Sequence, residues 1–385
     1  MKSESSRLPH SVTPEAGLVC EENTLSEWET LKHVAPEDIP ASANLLSANA
    51  LETYVNALQE PPLSLIVAGD IMLGGRTKAV IAEHGPDYPF DAVRPLLRHA
   101  HIVVGNLEGP FASKARKESR NYSYRVNPKL ATSLGRAGIS AVTLANNHLL
   151  DCGREGVIET LEVLRIAGIA SLGAGINERS AHAPRIMQAG PYRVGLLGYY
   201  WNQRTAATAE LPGSAMDTPQ MLEADIRALR GRVDRIVVTF HWGVTYEREP
   251  SADDRAKARF AVDCGADAVV GHHPHIIQPF EIYRGCPIFF SVGNLTFGSG
   301  NSRAEGLLLG LQFEATRTAV YLYPLYVKNR DPRVAYQPKA LTGDSAERVL
   351  YRLAKISTPN DGFLDIEAGR GKIVLPYAHT VGEIN

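Results

Sequence analysis

The chain has 385 residues, 44% of them hydrophobic and 21% charged, an ordinary globular composition that excludes a disordered, collagenous or coiled-coil protein. At about 150 residues per domain, this length holds roughly two to three domains' worth of chain, enough for one large α/β domain with extensions. With 40 Lys and Arg against 42 Asp and Glu the net charge is −2, so there is no global basic field for nucleic acid.

The first 12 residues are polar and Ser-rich without an apolar signal core, and no stretch approaches about 18 consecutive apolar residues. A soluble, cytoplasmic chain with no membrane anchor is expected. Spaced Leu, Ala and Val over Ala41–Leu58 predict a helix, so residues 1–60 read as an N-terminal helical extension. From Leu63 short apolar runs alternate with helix-period segments, the pattern of an α/β core over residues 61–340. Strands are predicted at Leu63–Ala68, His101–Val104, Ala141–Ala145, Arg193–Leu197, Arg235–Phe240 and Ala268–Val270. Helices are predicted around Asp91–His99, Pro128–Ala137, Gly156–Ala167, Pro219–Leu229 and Ala252–Asp263, several with Pro, Ser or Asp at the first turn. Past residue 271 the segments Pro279–Tyr283, Ile288–Ser291, Gly306–Glu314 and Thr318–Val327 are spaced like neighbouring antiparallel strands, which predicts a second sheet. Ser345–Ile356 reads as a closing helix, and residues 341–385 as a helix and tail on the core. Cys20, Cys152, Cys264 and Cys286 are far apart with no C-x-x-C pair, so reduced thiols are expected.

Polar residues with chemical capacity stand at the ends of these apolar runs. Asp70 closes VAGDIM, at the strand edge where open α/β sheets place their sites; taken alone it also reads as a turn aspartate. Glu108 in VVGNLEGP lies between a glycine and a proline that would fix its backbone. TLANNHLLDCGREG puts Asn146, Asn147 and His148 after a strand and Asp151 three residues on. Asn oxygen is a neutral ligand, His a ligand or general acid, and the carboxylate can orient the imidazole. His241 follows a strand in VVTFHWG, and its neighbour Trp242 either walls a pocket or fills the core. GHHPHIIQ places His272, His273 and His275 within four residues. In an extended segment His273 and His275 project the same way, as two ligands require, and His272 faces the opposite way as a bystander. Parallel strands can bring Asp70, Glu108, Asn147, His241, His273 and His275 to one edge. Six oxygen and imidazole ligands without thiolate suit two divalent ions, Mn, Fe or Zn, and a bridging carboxylate such as Glu108 would hold them about 3.5 to 4 Å apart.

The ordered series GD-x-M, GNLE-x-P, ANNH-x-x-D-x-G-x-x-G, HWG, GHHPH-x-x-Q and SVGNLTF, over about residues 63 to 300, resembles the capsule-synthesis (CapA/PgsA-type, poly-γ-glutamate) family, itself similar to calcineurin-like metallophosphoesterases. The resemblance implies a four-layer α/β/β/α sandwich of metallophosphoesterase type with a two-metal site. Matched position by position, Asp70 and His275 would bind one ion and Asn147, His241 and His273 the other, with Glu108 bridging. His148 would be the acid or an electrostatic group beside the substrate, and Asp151 would orient it. Three departures stand out. Met72 occupies the place of a phosphoesterase ligand histidine, Thr245 stands where the capsule family commonly has glutamate, and the membrane anchor typical of capsule-complex members is missing from the sequence pattern.

Between the second and third motifs, SKARKESRNYSYR carries Lys114, Arg116, Lys117, Arg120 and Arg125 against one acid, Glu118. Arg116, Lys117, Arg120 and Arg125, with Trp242, form the expected substrate-binding set; a solvated loop is the bland reading of the same charges. The function expected is a dinuclear-metal hydrolase acting on an anionic small molecule or peptide-like substrate: a phosphoester, amide or thioester. The alternative is an accessory component of poly-γ-glutamate or capsule synthesis that binds a carboxylate-rich polymer, and a third reading is a dinuclear-iron oxygenase.

Overall fold

The computed structural model describes residues 43–114, 124–298, 305–357 and 364–377. The strands that matter, in chain order, are β1 (Leu63–Met72), β2 (Ala100–Leu107), β3 (Ala141–Thr143), β4 (Ala170–Leu172), β5 (Arg185–Ala189), β6 (Tyr192–Tyr200), β7 (Arg235–His241) and β8 (Ala268–His272). They are followed by β9 (Phe280–Tyr283), β10 (Cys286–Phe289), β11 (Asn294–Phe297), β12 (Glu305–Phe313), β13 (Arg317–Tyr326), β14 (Asp365–Glu367) and β15 (Arg370–Pro376). The principal helices are α1 (Ala48–Ala57), α2 (Ala131–Ala137), α3 (Gly153–Ile166), α4 (Pro219–Arg230), α5 (Ala252–Asp263) and α6 (Gly343–Ile356).

One sheet runs β14-β15-β13-β12-β1-β2-β3-β4, with β11 parallel to β1 and the short pair Lys339–Ala340 on β13. The other runs β9-β10-β8-β7-β6-β5. The predicted second sheet therefore differs from the observed one. The hairpin β9–β10 joins β8, whereas β12 and β13 extend the first sheet from the antiparallel edge of β1. The second sheet is instead founded on β6, β7 and β8, which pair in parallel.

Period-2 alternation along buried strands sends successive side chains to opposite faces, and this creates four layers. Leu65 and Val67 of β1 and Ile102 and Val104 of β2 face inward, onto Val194, Leu196, Val237 and Val270 of the second sheet. Ile66, Val103 and Val142 face outward beneath Leu51 and Val55 of α1, Leu134 of α2, and Val157 and Leu164 of α3. On the far side Leu197, Ile236, Val238 and Val269 lie under Leu222 and Ile226 of α4 and Ala258, Ala261 and Val262 of α5. Helix, sheet, sheet, helix is the expected sandwich. Local signals start the second-sheet helices: the Thr218 side chain accepts from Met221 N ahead of α4, and Ser251 forms a capping box with Asp254 ahead of α5. Cys152, Cys264 and Cys286 are buried.

Two glycines explain why ligand-bearing strands end as they do. A Cβ on Gly69 would sit 2.1 Å from Gly293 O, and one on Gly271 only 1.9 Å from Phe290 O. Backbone approaches this close are open to glycine alone, and each lets a strand deliver the next residue, Asp70 or His272, into the seam between sheets. Gly69→Ala and Gly271→Ala should each destabilise the fold by about 3 kcal/mol or more, because the methyl would run into backbone of Gly293–Asn294 in one case and into Phe290 backbone and the Trp242 ring in the other. Thermal unfolding checks this, and a variant melting within a degree or two of wild type would contradict the close approach.

Candidate metal centre

The parallel strands β1, β2 and β3 of one sheet and β7 and β8 of the other end at the same edge, and six of the predicted residues meet there. Asp70 lies inside β1, two residues from its end, because Asp70 pairs with Asn106 and Asn294 on flanking strands and so keeps the ladder running past Ala68. Glu108 follows β2 at once. His241 ends β7, and His273 and His275 belong to the loop after β8. Both loop histidines have positive φ, 98° and 56°, a conformation uncommon for non-glycine residues that folds the loop back over the edge.

Asp70 and Glu108 are fully buried. Glu108 Oε1 lies 3.7 Å from His275 Nε2 and 3.9 Å from both His241 Nε2 and His148 Nε2. Asp70 Oδ2 is 2.9 Å from His275 Nδ1, and His241 Nε2 is 2.9 Å from Asn147 Oδ1. Two trios, Asp70–Glu108–His275 and Glu108–His241–His273, each bring their ligand atoms within 4.8 Å of one another, and Glu108 belongs to both. Asp70 Oδ2, Glu108 Oε1 and His273 Nδ1 are buried and make no hydrogen bond. Buried polar atoms are seldom left so. Hard oxygens and imidazoles converging in this way suit a divalent cation, which would satisfy all three.

The electrostatics agree. Burial, then the charges of Asp70 and Asp151, hold the Glu108 carboxyl well above the usual carboxylate range. Burial would raise Asp70 too, but His272 and His275 outweigh it and hold that carboxyl well below its ordinary value. Burial pushes His241 well below the usual imidazole value, with His273 adding to the effect, and lowers His273 to about 4. In the ion-free protein the unfolded chain therefore takes up a proton at residue 273 between pH 6.5 and about 4 while the folded chain does not, so stability falls on acidification through that window. Around neutrality both histidines are neutral and ready to ligate, while burial favours the protonated form of Glu108, against which a cation competes. Ion binding should thus be coupled to proton release and tighten as pH rises. Calorimetry in two buffers of different ionisation enthalpy reads this directly; a buffer-independent heat would contradict it.

His148 stands at the rim, its side chain 14% exposed. Its Nδ1 is 2.7 Å from Asp151 Oδ2, which also accepts from Tyr124 N, and the Tyr124 ring packs 4.5 Å from the imidazole. Asn146 is structural: Nδ2 donates to Asn106 Oδ1 and Leu107 O, and Oδ1 accepts from His148 N.

Of the expected substrate-binding set, Trp242 and Arg125 are among the described residues. Trp242 is 1% exposed, stacks on Phe240, donates to Phe290 O and lies in the core beneath the second sheet's helices. Arg125 donates to Ser113 O, tying down the loop end. Arg116, Lys117 and Arg120 lie outside the described residues.

Three residues escaped the sequence reading. Asn106 Nδ2 donates to Asp70 Oδ1 at 2.8 Å, contacts Glu108 Oε2 at 3.3 Å and lies 3.2 Å from His241 Nδ1. Asn294 Oδ1 is 3.0 Å from His275 Nδ1. The tripeptide Gly-Asn-Leu occurs at both places, residues 105–107 and 293–295, a repeat that could have flagged them. The third is His272, which points at Asp70 and does not turn away from it, its Nδ1 3.4 Å from Asp70 Oδ1.

A helix–sheet–sheet–helix sandwich with a carboxylate–imidazole cluster at the common strand edge defines an α/β protein whose clustered side chains could hold a metal ion. Residues 64–299 match the family described as bacterial capsule synthesis protein PGA_cap, and the chain belongs to that family. It is 32% identical over 331 residues to the capsule biosynthesis protein CapA of Bacillus anthracis, across 83% of this chain and 79% of that one. It is 30% identical over 256 residues to the PGA biosynthesis protein CapA of Bacillus subtilis (strain 168), across 65% and 67%. Among solved structures it is similar to the 5'-nucleotidase of Candida albicans SC5314, at 10% identity and a TM-score of 0.40, over 65% of this chain and 48% of that one. No helix among the described residues is long and apolar enough to cross a membrane.

Proposed function

We propose that the protein is a hydrolase that uses two divalent ions at the shared edge to cleave an acyl or phosphoryl bond in a carboxylate-rich, peptide-like substrate. The observation that carries this reading is the membership of Glu108 in both ligand trios, the arrangement of a bridging carboxylate. Asp70, His275 and Glu108 would hold one ion, and Asn147, His241 and His273 with Glu108 the other. Two such ions would supply Lewis acidity and a water of lowered pKa.

The chain's own groups complete the chemistry. Asp151 accepts from His148 Nδ1–H and so sets the ring with Nε2 toward the cluster, where it carries the proton a leaving group needs. Tyr124 N holds Asp151, and the Tyr124 ring shields the dyad. The substrate class follows from the capsule and PGA biosynthesis named for the Bacillus relatives.

The experiment is metal analysis of protein purified without chelator, followed by a panel of phosphoesters, γ-glutamyl amides and thioesters. Metal-dependent turnover of one class supports the proposal. Two bound ions with no turnover of any would favour an accessory, polymer-binding role.

A further inference from the structure

The ion that Asp70 and His275 would hold lacks the imidazole that the family resemblance puts at the place of Met72. Met72 does not compensate for it. Its Sδ accepts from Gly74 N at 3.0 Å, and its methyl lies against Gly298, where an added Cβ would come within 2.7 Å of it. The thioether is thus engaged in the turn after β1.

A different imidazole reaches the same carboxylate. His272, the last residue of β8, is 1% exposed, and neither ring nitrogen has a hydrogen-bond partner. A neutral imidazole carries one donor and one acceptor, so leaving both unused in the interior is costly. Its Nδ1 is 3.4 Å from Asp70 Oδ1, the oxygen already held by Asn106 Nδ2 at 2.8 Å, while Oδ2 faces His275.

We propose that His272 is a positioning residue for this ion: Nδ1–H and Asn106 Nδ2 together clamp Oδ1 of Asp70 and turn Oδ2 toward the cation. The inference rests on the metal-centre reading above. Hydrogen bonds from behind a ligand fix its orientation, and losing one typically costs 10–100-fold in metal affinity.

The test uses the full-length protein and Co²⁺, with stepwise affinities from chelator competition and visible absorption reporting the ligand set. His272→Ala should weaken one ion about 10–100-fold and the other less than about twofold, with absorption maxima unchanged. His272→Asn, whose Nδ2 can donate from a similar place, should recover most of the loss, and Met72→Leu should leave both affinities alone. His275→Ala is the control for the centre itself and should lose the ion outright. If His275→Ala loses an ion but His272→Ala does not weaken one, the role of His272 is overturned and the centre stands. An Asn variant no better than Ala, with shifted absorption, would make His272 a ligand and also overturn positioning. If wild type binds no Co²⁺, or His275→Ala keeps both ions, the centre fails and His272 with it.

Discussion

Glu108→Gln should strip the protein of both divalent ions, weakening each by at least about 100-fold, because one carboxylate serves both trios. Glutamine keeps the shape and removes the charge. Misfolding is not the expected cause of the loss. In the ion-free protein the folded-state pKa of Glu108 is raised, so any stability it contributes is present below its unfolded pKa and fades as pH rises through the folded one. A neutral amide escapes that penalty, and the ion-free variant should melt at or above the ion-free wild type near pH 7. Elemental analysis after desalting, beside a thermal melt, checks both halves. Retention of one full ion would show that Glu108 serves a single cation, and the bridging arrangement would have to be given up.

His148→Ala should leave both ions in place and lower turnover of whichever substrate the panel identifies by about 100-fold or more, the usual scale of a positioned general acid. The geometry separates this residue from the ligands: it stands at the rim with Nδ1 committed to Asp151, outside both trios. Asp151→Asn should give a smaller loss together with a displaced pH profile, since the amide no longer holds the imidazole as a carboxylate does. Loss of metal along with activity in His148→Ala would place His148 among the ligands.

Much of this centre was legible because chemistry-bearing residues interrupt apolar runs. Six of them were found that way, and strand edges do bring them together. The strand ends were less legible, since Asp70, His241 and His272 are polar yet buried and continue their ladders. His272 was misread for a specific reason: the alternation rule assumes extended backbone, and His273, with φ of 98°, has already left it. The division into sheets was not legible at all. Strands β9, β10, β12 and β13 share one apolar pattern, and which sheet each joins is decided by pairing with strands far away in sequence. The hairpin β14–β15 was hidden because Asp365, Glu367, Arg370 and Lys372 give an edge ribbon the composition of a tail.

The seam position of the cluster also has a consequence for how the protein comes to be loaded. Each trio takes ligands from both sheets: Asp70 and Glu108 come from the first, and His241, His273 and His275 from the second. On the ribosome the carboxylates emerge early and can offer only loose, oxygen-only contacts to whatever cation is abundant. The imidazoles that select a transition metal arrive with the later half of the chain. A site built from both sheets is complete only once they have closed on each other, so any ion it took would join the two halves and would be selected by the finished sandwich.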